Sequence, residues 1–518
     1  MHPAQALRIC LLLSSLLLAR AAEISYRFES STNNMAMSSL GGGRVFVASN
    51  NSLHQFTRGL VLEHWVRTGP RLDGPCEKSW TNTTNVNRIL VVDEDHGYLI
   101  TCGTVRIGAC EVRQLSNISD SQQKEGRVAT LDLRASTLAF PVPINNSTHM
   151  LTAVTSTGED SRFIPDDCKG DDNYYGIKET RIFLRSLEGP VTGSVFLNYD
   201  SDSLEPVVDL PTSQEHQFVQ GFHLNGAIYI SVNAANAKVV FANVSSITEG
   251  VLVSVSCSLA GSGPLQVLSS ALVSTAGSQS FLAAVFSRQE QPQHNALCLF
   301  ELGRFNAVKK VPMSGHEIAI TSDTIDSTPL FSYSGLLSVS ATSVRNWAVI
   351  FLGAGDGRLI KLVLDENMKV LRPSILIELQ DESPIKNSIM FDKIDPHYFY
   401  LLTERMVRRL KVANCSQYSS CEDCLLAQDP YCGWCLHEER SVCTKQPSSS
   451  NTAGRLPRKA MFEDRGTQRT RQHLWRKEVG DVSGQDPSSD RTRNVTFLFP
   501  ERLPDQLSYF SFLCLSLV

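Results

Sequence analysis

A uniform succession of short β-type segments fills the chain from Glu23 to about Asn414. Runs such as RVFVAS from Arg44 and WAVIFLG from Trp347 alternate with turns rich in Gly, Asn, Asp and Ser. Apolar periodicity typical of a helix is scarce. Repeated short strands between turns predict an all-β sandwich, barrel or propeller. Roughly 390 residues are too many for one sandwich and suit a propeller of about six to eight blades.

The amino-terminal segment 1–21 has the order of a secretory signal peptide. One positive charge, Arg8, precedes the apolar run Ile9–Leu18, and Ala19 and Ala21 fit a small-residue cleavage site. The apolar run is too short to span a membrane. We therefore expect the chain to enter the secretory pathway.

Sequons for N-linked glycans are frequent, as expected of an exported chain. The adjacent pair is expected to carry at most one glycan. The Asn-x-Ser/Thr candidates are Asn50, Asn82, Asn117, Asn145, Asn146, Asn243, Asn414 and Asn494.

A cysteine-rich run, CSQYSSCEDCLLAQDPYCGWC, begins at Cys415, and Cys443 follows it. Its two Cys-x-x-Cys units are compatible with a zinc site, a redox centre or a disulfide knot. An oxidising compartment favours disulfides over thiolate metal ligands. A thioredoxin-like pair would follow a strand and open a helix, whereas CGWC follows the turn QDPY. We therefore predict a disulfide knot, with Trp434 packed against it.

Six further cysteines lie in the β-rich region, and sequence alone allows 15 ways to pair six cysteines. Cys102 and Cys110 flank adjacent strand ends and are expected to pair, and Cys257 with Cys298 is the next expected pair. Elimination leaves Cys76 with Cys168.

Composition argues against a nucleic-acid partner and against a membrane span. The net charge of −5 argues against nucleic acid. Beyond the signal peptide no run of 18 or more apolar residues occurs, so no membrane span is predicted.

Motifs for catalysis are weak, and we predict no enzyme, metal or cofactor. GHEIAI at Gly315 has Ile320 where a zinc-protease helix needs its second histidine. The Gly-rich stretch Gly353–Gly357 is read as a tight hairpin, because it joins two strand-like runs and opens no helix. The acidic stretch Asp166–Asn173 matches no EF-hand spacing and is read as an exposed loop.

The carboxy-terminal segment 446–518 differs in composition from the β-rich region. It is rich in Ser, Arg and Lys and is therefore predicted to be disordered. Its basic part, 455–477, is read as a solvated linker, with polyanion binding as the alternative. The last twelve residues, LSYFSFLCLSLV, are too short to span a membrane, and a GPI signal is a minor alternative.

Several stretches together resemble the sema domain of the semaphorin and plexin superfamily. They are GGGRVFVASNNSLHQF at Gly41–Phe56, NRILVVDEDHGYLITCGTVRIGACEVRQL at Asn87–Leu115, FLAAVFSR with NALCLFEL between Phe281 and Leu302, and VIFLGAGDGRLIKLVL at Val349–Leu364. The run from Cys415 resembles the PSI module that follows a sema domain. DPYCGWC places Cys435 where semaphorins carry an aspartate, which resembles a plexin. Four stretches, GACEVRQLSN, NALCLF, GDGRLIKLVL and RRLKVANC, together resemble a class C plexin most.

The resemblance implies a seven-bladed propeller over 22–414 and a partial PSI module over 415–445. It also implies the pairs Cys415–Cys432 and Cys424–Cys443. A plexin PSI module has eight cysteines and this one has six, so Cys421 and Cys435 are expected to be unpaired or mispaired. Pairing with each other, another bond within the chain, or a link between two chains stay open for them.

The predicted function is that of a plexin ectodomain that binds a semaphorin, propeller to propeller. Class C implies a class 7 semaphorin or a viral mimic. The full-length parent would act in axon guidance, adhesion and migration. This chain, without a span or a GTPase-activating domain, would be a truncated form, with a soluble decoy as one role. The alternatives are a secreted semaphorin-like ligand and an extracellular propeller enzyme.

Overall fold

The structure of the chain is a computed structural model. The residues that it describes are 24–69, 84–105, 108–123, 128–144, 147–157, 180–191, 194–197, 206–210, 216–243, 249–274, 279–308, 311–312, 318–344, 347–379, 383–386, 389–436, 442–445 and 496–498.

Almost all of the regular structure in these residues is β-strand. The strands of the first half are β1 Ile24–Arg27, β2 Thr32–Ser38, β3 Arg44–Ser49, β4 Ser52–Thr57, β5 Leu62–Arg67, β6 Asn87–Asp93, β7 Tyr98–Gly103, β8 Cys110–Gln114, β9 Ser121–Gln123, β10 Thr137–Ile144, β11 Ser147–Val154, β12 Arg181–Val191, β13 Ser194–Leu197, β14 Pro206–Asp209, β15 Gln217–Leu224, β16 Ala227–Asn233, β17 Ala237–Asn243 and β18 Glu249–Cys257. The later strands are β19 Leu265–Ser274, β20 Ser280–Arg288, β21 Gln291–Glu301, β22 Val311–Pro312, β23 Ala319–Ser327, β24 Pro329–Ser334, β25 Leu336–Val344, β26 Trp347–Ala354, β27 Arg358–Leu364, β28 Val370–Glu378, β29 Ile389–Phe391, β30 Tyr398–Leu402, β31 Met406–Lys411, β32 Cys432–Leu436, β33 Val442–Lys445 and β34 Thr496–Leu498. Two short helices, α1 Leu302–Ala307 and α2 Cys421–Leu426, and 3-10 turns at Leu40–Gly42 and Cys415–Gln417 complete the set.

Seven antiparallel sheets form the blades of a propeller. Blades 1 to 6 begin at β2, β6, β10, β15, β19 and β25, and blade 7 combines β29 to β31 with β1. The first strand of each blade contacts the first strand of the next, and β29 contacts both β25 and β2. The predicted seven-bladed propeller is confirmed.

The strands read as continuous apolar runs because each blade is covered on both faces. Successive side chains of a strand point to opposite faces. In β3, Val45 and Val47 pack in the cluster between blades 7 and 1, whereas Phe46 and Ala48 pack between blades 1 and 2. The same division recurs in β26, so the core of the molecule consists of the clusters between blades.

The ring is closed by the chain's first described strand. β1 pairs with β31, so that Ile24 lies opposite Arg409 and Arg27 lies opposite Met406. Tyr26 then packs edge-on against Phe56 of blade 1, with ring centroids 4.8 Å apart. The two ends of the propeller therefore share one blade.

Blade 5 is interrupted by a segment that crosses to blade 4. After β21 the chain forms α1, β22 and β23 before it returns to blade 5 as β24. β23 pairs in parallel with β18, whereas the other pairings of these seven sheets are antiparallel within the described residues. The Cys257–Cys298 disulfide joins β18 to β21 beside this crossing.

The cysteine-rich module follows β31 and contains α2 and the hairpin of β32 and β33. Ser420 caps α2 by accepting a hydrogen bond from the amide of Asp423 at 3.0 Å. β34 pairs with β32, which places Thr496–Leu498 of the predicted disordered tail in a strand. The rest of the tail, for which disorder is predicted, lies outside the described residues.

Candidate functional site: the junction of propeller and cysteine-rich module

A buried lysine in the propeller binds an aspartate of the cysteine-rich module. Lys361 lies in β27 of blade 6 and only 2% of its side chain is exposed. Its Nζ donates to both carboxylate oxygens of Asp429, each at 2.7 Å, and to the carbonyl oxygen of Val412 at 3.0 Å. The three acceptors account for all the donors of the ammonium group.

A local turn orients the carboxylate of Asp429 towards Lys361. Its Oδ1 accepts a hydrogen bond from the amide of Tyr431 at 3.1 Å, and its carbonyl oxygen accepts one from the amide of Cys432 at 2.9 Å. Such a turn is typical of Asp followed by Pro. The ring of Tyr431 covers the ammonium of Lys361, with 4.7 Å from Nζ to the ring centroid.

The electrostatics of the junction follow from burial. Burial lowers the pKa of Lys361, and the charge of Asp429 opposes that shift. Burial, with the nearby charge of Asp429, raises the pKa of the Tyr431 phenol. A buried charge is tolerated only when it is paired and hydrogen-bonded. The pair therefore forms a buried polar contact between the module and blade 6.

The two motifs that carry the sema and PSI resemblances meet in this pair. GDGRLIKLVL and DPYCGWC lie far apart in the sequence, and no local pattern connects them. The available signal was a single lysine within the apolar run of β27, where every neighbouring position is buried.

One hydrophobic cluster joins the module to the propeller. Trp434 and Tyr431 pack with Phe351 of blade 6 and Phe399 and Leu401 of blade 7. Cys415, Cys424, Cys432 and Cys443 belong to the same cluster, so Trp434 packs against the disulfides as predicted. The module shares a core with blades 6 and 7.

Disulfides hold both parts. The structure forms the four expected bonds whose cysteines it describes: Cys102–Cys110, Cys257–Cys298, Cys415–Cys432 and Cys424–Cys443. The expected pair of Cys76 and Cys168 lies outside the described residues.

Cys421 is disulfide-bonded in the structure, so of the two expected states, unpaired or mispaired, it is not unpaired. A bond to Cys435, another bond within the chain and a link between two chains stay predictions. Cys421 is half-buried and packs against the hydrophobic cluster that contains Cys424 and Cys432. The side chain of Cys435 lies outside the described residues.

The structure describes the stretches considered for catalysis only in part. Gly353 and Ala354 end β26, and residues 355–357 form the turn of the predicted hairpin to β27, with Gly357 at a φ of 78°. His316 and the acidic stretch Asp166–Asn173 lie outside the described residues. Among the described side chains, no cluster of three metal-ligating groups occurs.

Comparison with known proteins supports both parts of the chain. A family profile described as "PSI: Plexin repeat" matches residues 414–459. Human plexin-C1 is 31% identical over 383 residues, which cover 68% of this chain and 23% of plexin-C1. The full extracellular region of plexin A4 superposes with a TM-score of 0.63 at 18% identity, over 82% of this chain and 50% of that chain. The complex of Drosophila plexin A with semaphorin 1b gives a TM-score of 0.53 at 14% identity, over 83% of this chain and 94% of that chain.

The chain belongs to the plexin family. Human plexin-A2 is 24% identical, against 31% for human plexin-C1, which agrees with the predicted resemblance to class C. The chain spans about a quarter of the length of these plexins. No helix among the described residues is long and apolar enough to cross a bilayer.

Exposed apolar side chains mark the rim of the sema propeller at blade 1. The outer strand β5 presents Leu62 and Trp65 to solvent, and Val61 precedes it. The exposed fraction of Trp65 is 54%, although one edge of the ring lies near His54, with ring centroids 6.4 Å apart. Large exposed apolar groups are typical of interaction surfaces.

Three of the predicted sequons have described side chains. Asn50 lies in the turn between β3 and β4, and its Oδ1 accepts a hydrogen bond from Asn33 at 2.9 Å. Asn117 lies in a turn after β8, and its Oδ1 accepts one from the amide of Ser119 at 3.0 Å. Asn414 is exposed at the start of the PSI module. The backbone of Asn243 ends β17, and Asn82, Asn145, Asn146 and Asn494 lie outside the described residues.

Proposed function

We propose that this chain binds a semaphorin through its sema propeller. The observation that carries the proposal is the 31% identity to human plexin-C1 over 68% of this chain. Support comes from the related plexin A, which is known in complex with semaphorin 1b. The recognition needs surface complementarity and no catalytic residues.

The class C resemblance points to a class 7 semaphorin or its viral mimic as the partner. The predicted signal peptide supports secretion into the extracellular space. A secreted chain that occupies the ligand would act as a soluble decoy, lowering the response of plexin-bearing cells in adhesion, migration and axon guidance. The full-length parent would be the signalling receptor at the plasma membrane.

The test is secretion of the full chain from mammalian cells, followed by non-reducing gel analysis and binding to a panel of immobilised semaphorins. We expect a monomer that binds a class 7 or viral semaphorin saturably and binds other classes more weakly. The plexin-C1 ectodomain serves as the positive control. A monodisperse chain that binds no semaphorin, on surfaces where plexin-C1 binds, would overturn the proposal.

Two matched variants on the rim map the contact surface. Trp65→Glu changes blade 1 and Ile375→Glu changes blade 6, and both side chains are more than half exposed on outer strands. Because neither change reaches the core, a loss of binding by one variant alone assigns the contact to that side of the propeller. Decoy activity is measured separately, as inhibition of the response of plexin-C1 cells to the same semaphorin.

A further inference from the structure

The sequon at the propeller–PSI junction contains a disulfide-bonded cysteine. In Asn414-Cys415-Ser416 the middle residue is Cys415, which is 4% exposed and bonded to Cys432. Asn414 and Ser416 on either side are exposed. One three-residue motif is therefore both a glycan acceptor and a part of the module's core.

The folded junction holds this sequon in a closed turn. The hydroxyl of Ser416 donates to Oδ1 of Asn414 at 3.0 Å, and the amide of Gln417 donates to the carbonyl oxygen of Asn414 at 3.3 Å. Upstream, the carbonyl oxygen of Val412 binds Lys361, and Ala413 is buried. Downstream, the disulfide anchors Cys415. The backbone on both sides of Asn414 is thus held in place in the folded junction.

The side-chain amide of Asn414, in contrast to this fixed backbone, is accessible to a glycan. The side chain of Asn414 faces solvent, and its Nδ2 makes no hydrogen bond within the described part of the chain. A glycan on Nδ2 therefore fits the folded junction without displacing a core residue. The folded junction therefore has room for a glycan, while its backbone is held in a turn.

We propose that Asn414 is an N-glycan acceptor whose occupancy is set by competition with formation of the Cys415–Cys432 disulfide. The transferase needs a flexible sequon, and disulfide closure removes that flexibility. Cys432 follows Cys415 by only 17 residues, so closure can begin soon after the sequon is synthesised. A more reducing lumen prolongs the open state and raises occupancy.

Atoms and electrons balance in both competing reactions. In the transfer, Nδ2 of Asn414 bonds to C1 of the first sugar of a lipid-linked diphosphate oligosaccharide, and the bond from C1 to the diphosphate breaks. The diphosphate leaves with the electron pair, and the amide loses one proton. In the other reaction the two thiols lose two protons and two electrons to an oxidoreductase disulfide, which is reduced to a dithiol.

The inference rests on the proposed secretory route, and the experiment separates the two. The full chain is expressed in mammalian cells, and occupancy of Asn414 and Asn117 is measured by mass spectrometry after enzymatic deglycosylation in heavy-oxygen water. Asn117 is the internal control, because its sequon contains no cysteine. An unmodified chain would overturn the route and the inference together.

The decisive variant is Cys432→Ser, which leaves the sequon unchanged and removes the partner of Cys415. The matched control is Cys424→Ser, which removes the Cys424–Cys443 bond of the module without freeing Cys415. We expect Cys432→Ser to raise the ratio of occupied to unoccupied Asn414 severalfold, with a smaller change for Cys424→Ser and none at Asn117. Mild dithiothreitol should raise occupancy in the unaltered chain.

Two outcomes would overturn the proposal while Asn117 is modified. Asn414 that stays unmodified in Cys432→Ser would show that it is not an acceptor. Equal occupancy in the unaltered chain and both variants would show that closure does not compete with transfer. Ser416→Ala, which destroys the sequon, gives the zero point of the measurement.

Discussion

At the residue scale, Lys361 and Asp429 form an ion pair across 68 positions of sequence. Replacing Lys361 with Met leaves the carboxylate of Asp429 without its main partner, beside a buried tyrosine. Removing one member of a buried pair costs about 3–5 kcal/mol of the free energy of unfolding. Denaturant unfolding of the secreted chain measures the loss.

The control is an exposed pair of the same chemistry. Lys393 and Glu94 lie 2.9 Å apart, with roughly half and a third of their side chains exposed. Lys393→Met should cost less than about 1 kcal/mol. The double variant Lys361→Met with Asp429→Leu should recover part of the stability. Equal losses at Lys361 and Lys393 would show that the junction pair is not buried in solution.

His54 makes stability depend on pH. It lies among Phe28, Phe56 and Tyr26, and burial lowers its pKa to about 4. The unfolded chain binds the proton with a pKa of about 6.5. The stabilisation is therefore fully present above about pH 6.5 and is lost as the pH falls towards 4, by up to about 2 kcal/mol at pH 5.

The measurement is the denaturation midpoint of the chain and of His54→Gln between pH 7.5 and 5. The variant should start less stable and lose less on acidification, because glutamine does not titrate. Parallel curves for the two proteins would argue that His54 is not the responsible group.

At the element scale, β4 and β5 divide blade 1 into a core side and a rim. Phe56 of β4 is fully buried in the cluster that closes the ring, whereas Trp65 of β5 is largely exposed. Phe56→Ala should cost about 3–5 kcal/mol through loss of burial and a cavity. Trp65→Ser should change the free energy of unfolding by less than about 1 kcal/mol.

Thermal and denaturant unfolding of both variants decide the matter. The blade 1 rim is a free surface if the two losses differ as expected. If Trp65→Ser lowers the free energy of unfolding as much as Phe56→Ala, the tryptophan is part of the core. That result would argue against an interaction surface at this rim.

Strand prediction succeeds in this chain for a local reason. A blade strand is covered by two neighbouring blades, so runs such as those of β3 and β26 are apolar on both faces and stand out between turns. The crossing of β23 to blade 4 leaves no such mark. Its pattern is mostly exposed, and its parallel partner β18 lies about 70 residues earlier.

At the scale of the whole molecule, the PSI module completes the propeller. Its residues Tyr431 and Trp434 cover Phe351 and Phe399, and its Asp429 neutralises Lys361. A fragment that ends at residue 414 exposes these apolar groups and leaves a buried ammonium without its carboxylate. We expect lower secretion and a lower melting temperature than for a fragment that ends at residue 445.

The comparison has an internal check. Lys361→Met in the shorter fragment removes the unpaired charge and should restore part of its stability, whereas it should lower the stability of the longer one. Equal melting temperatures for the two fragments would mean that the propeller folds without the module.

Sequence by itself determined the propeller, the cysteine pairs joining strand ends or motif positions, and the resemblance to plexins. These features rest on apolar runs that stand between turns and on short motifs, which are local. Only the tertiary structure decided the Lys361–Asp429 pair, the shared core of blades 6 and 7 with the PSI module, the bonded state of Cys421 and the route of β23. These depend on which distant segments meet once the ring has closed, and closure is governed by the summed burial of all seven blades rather than by any one stretch.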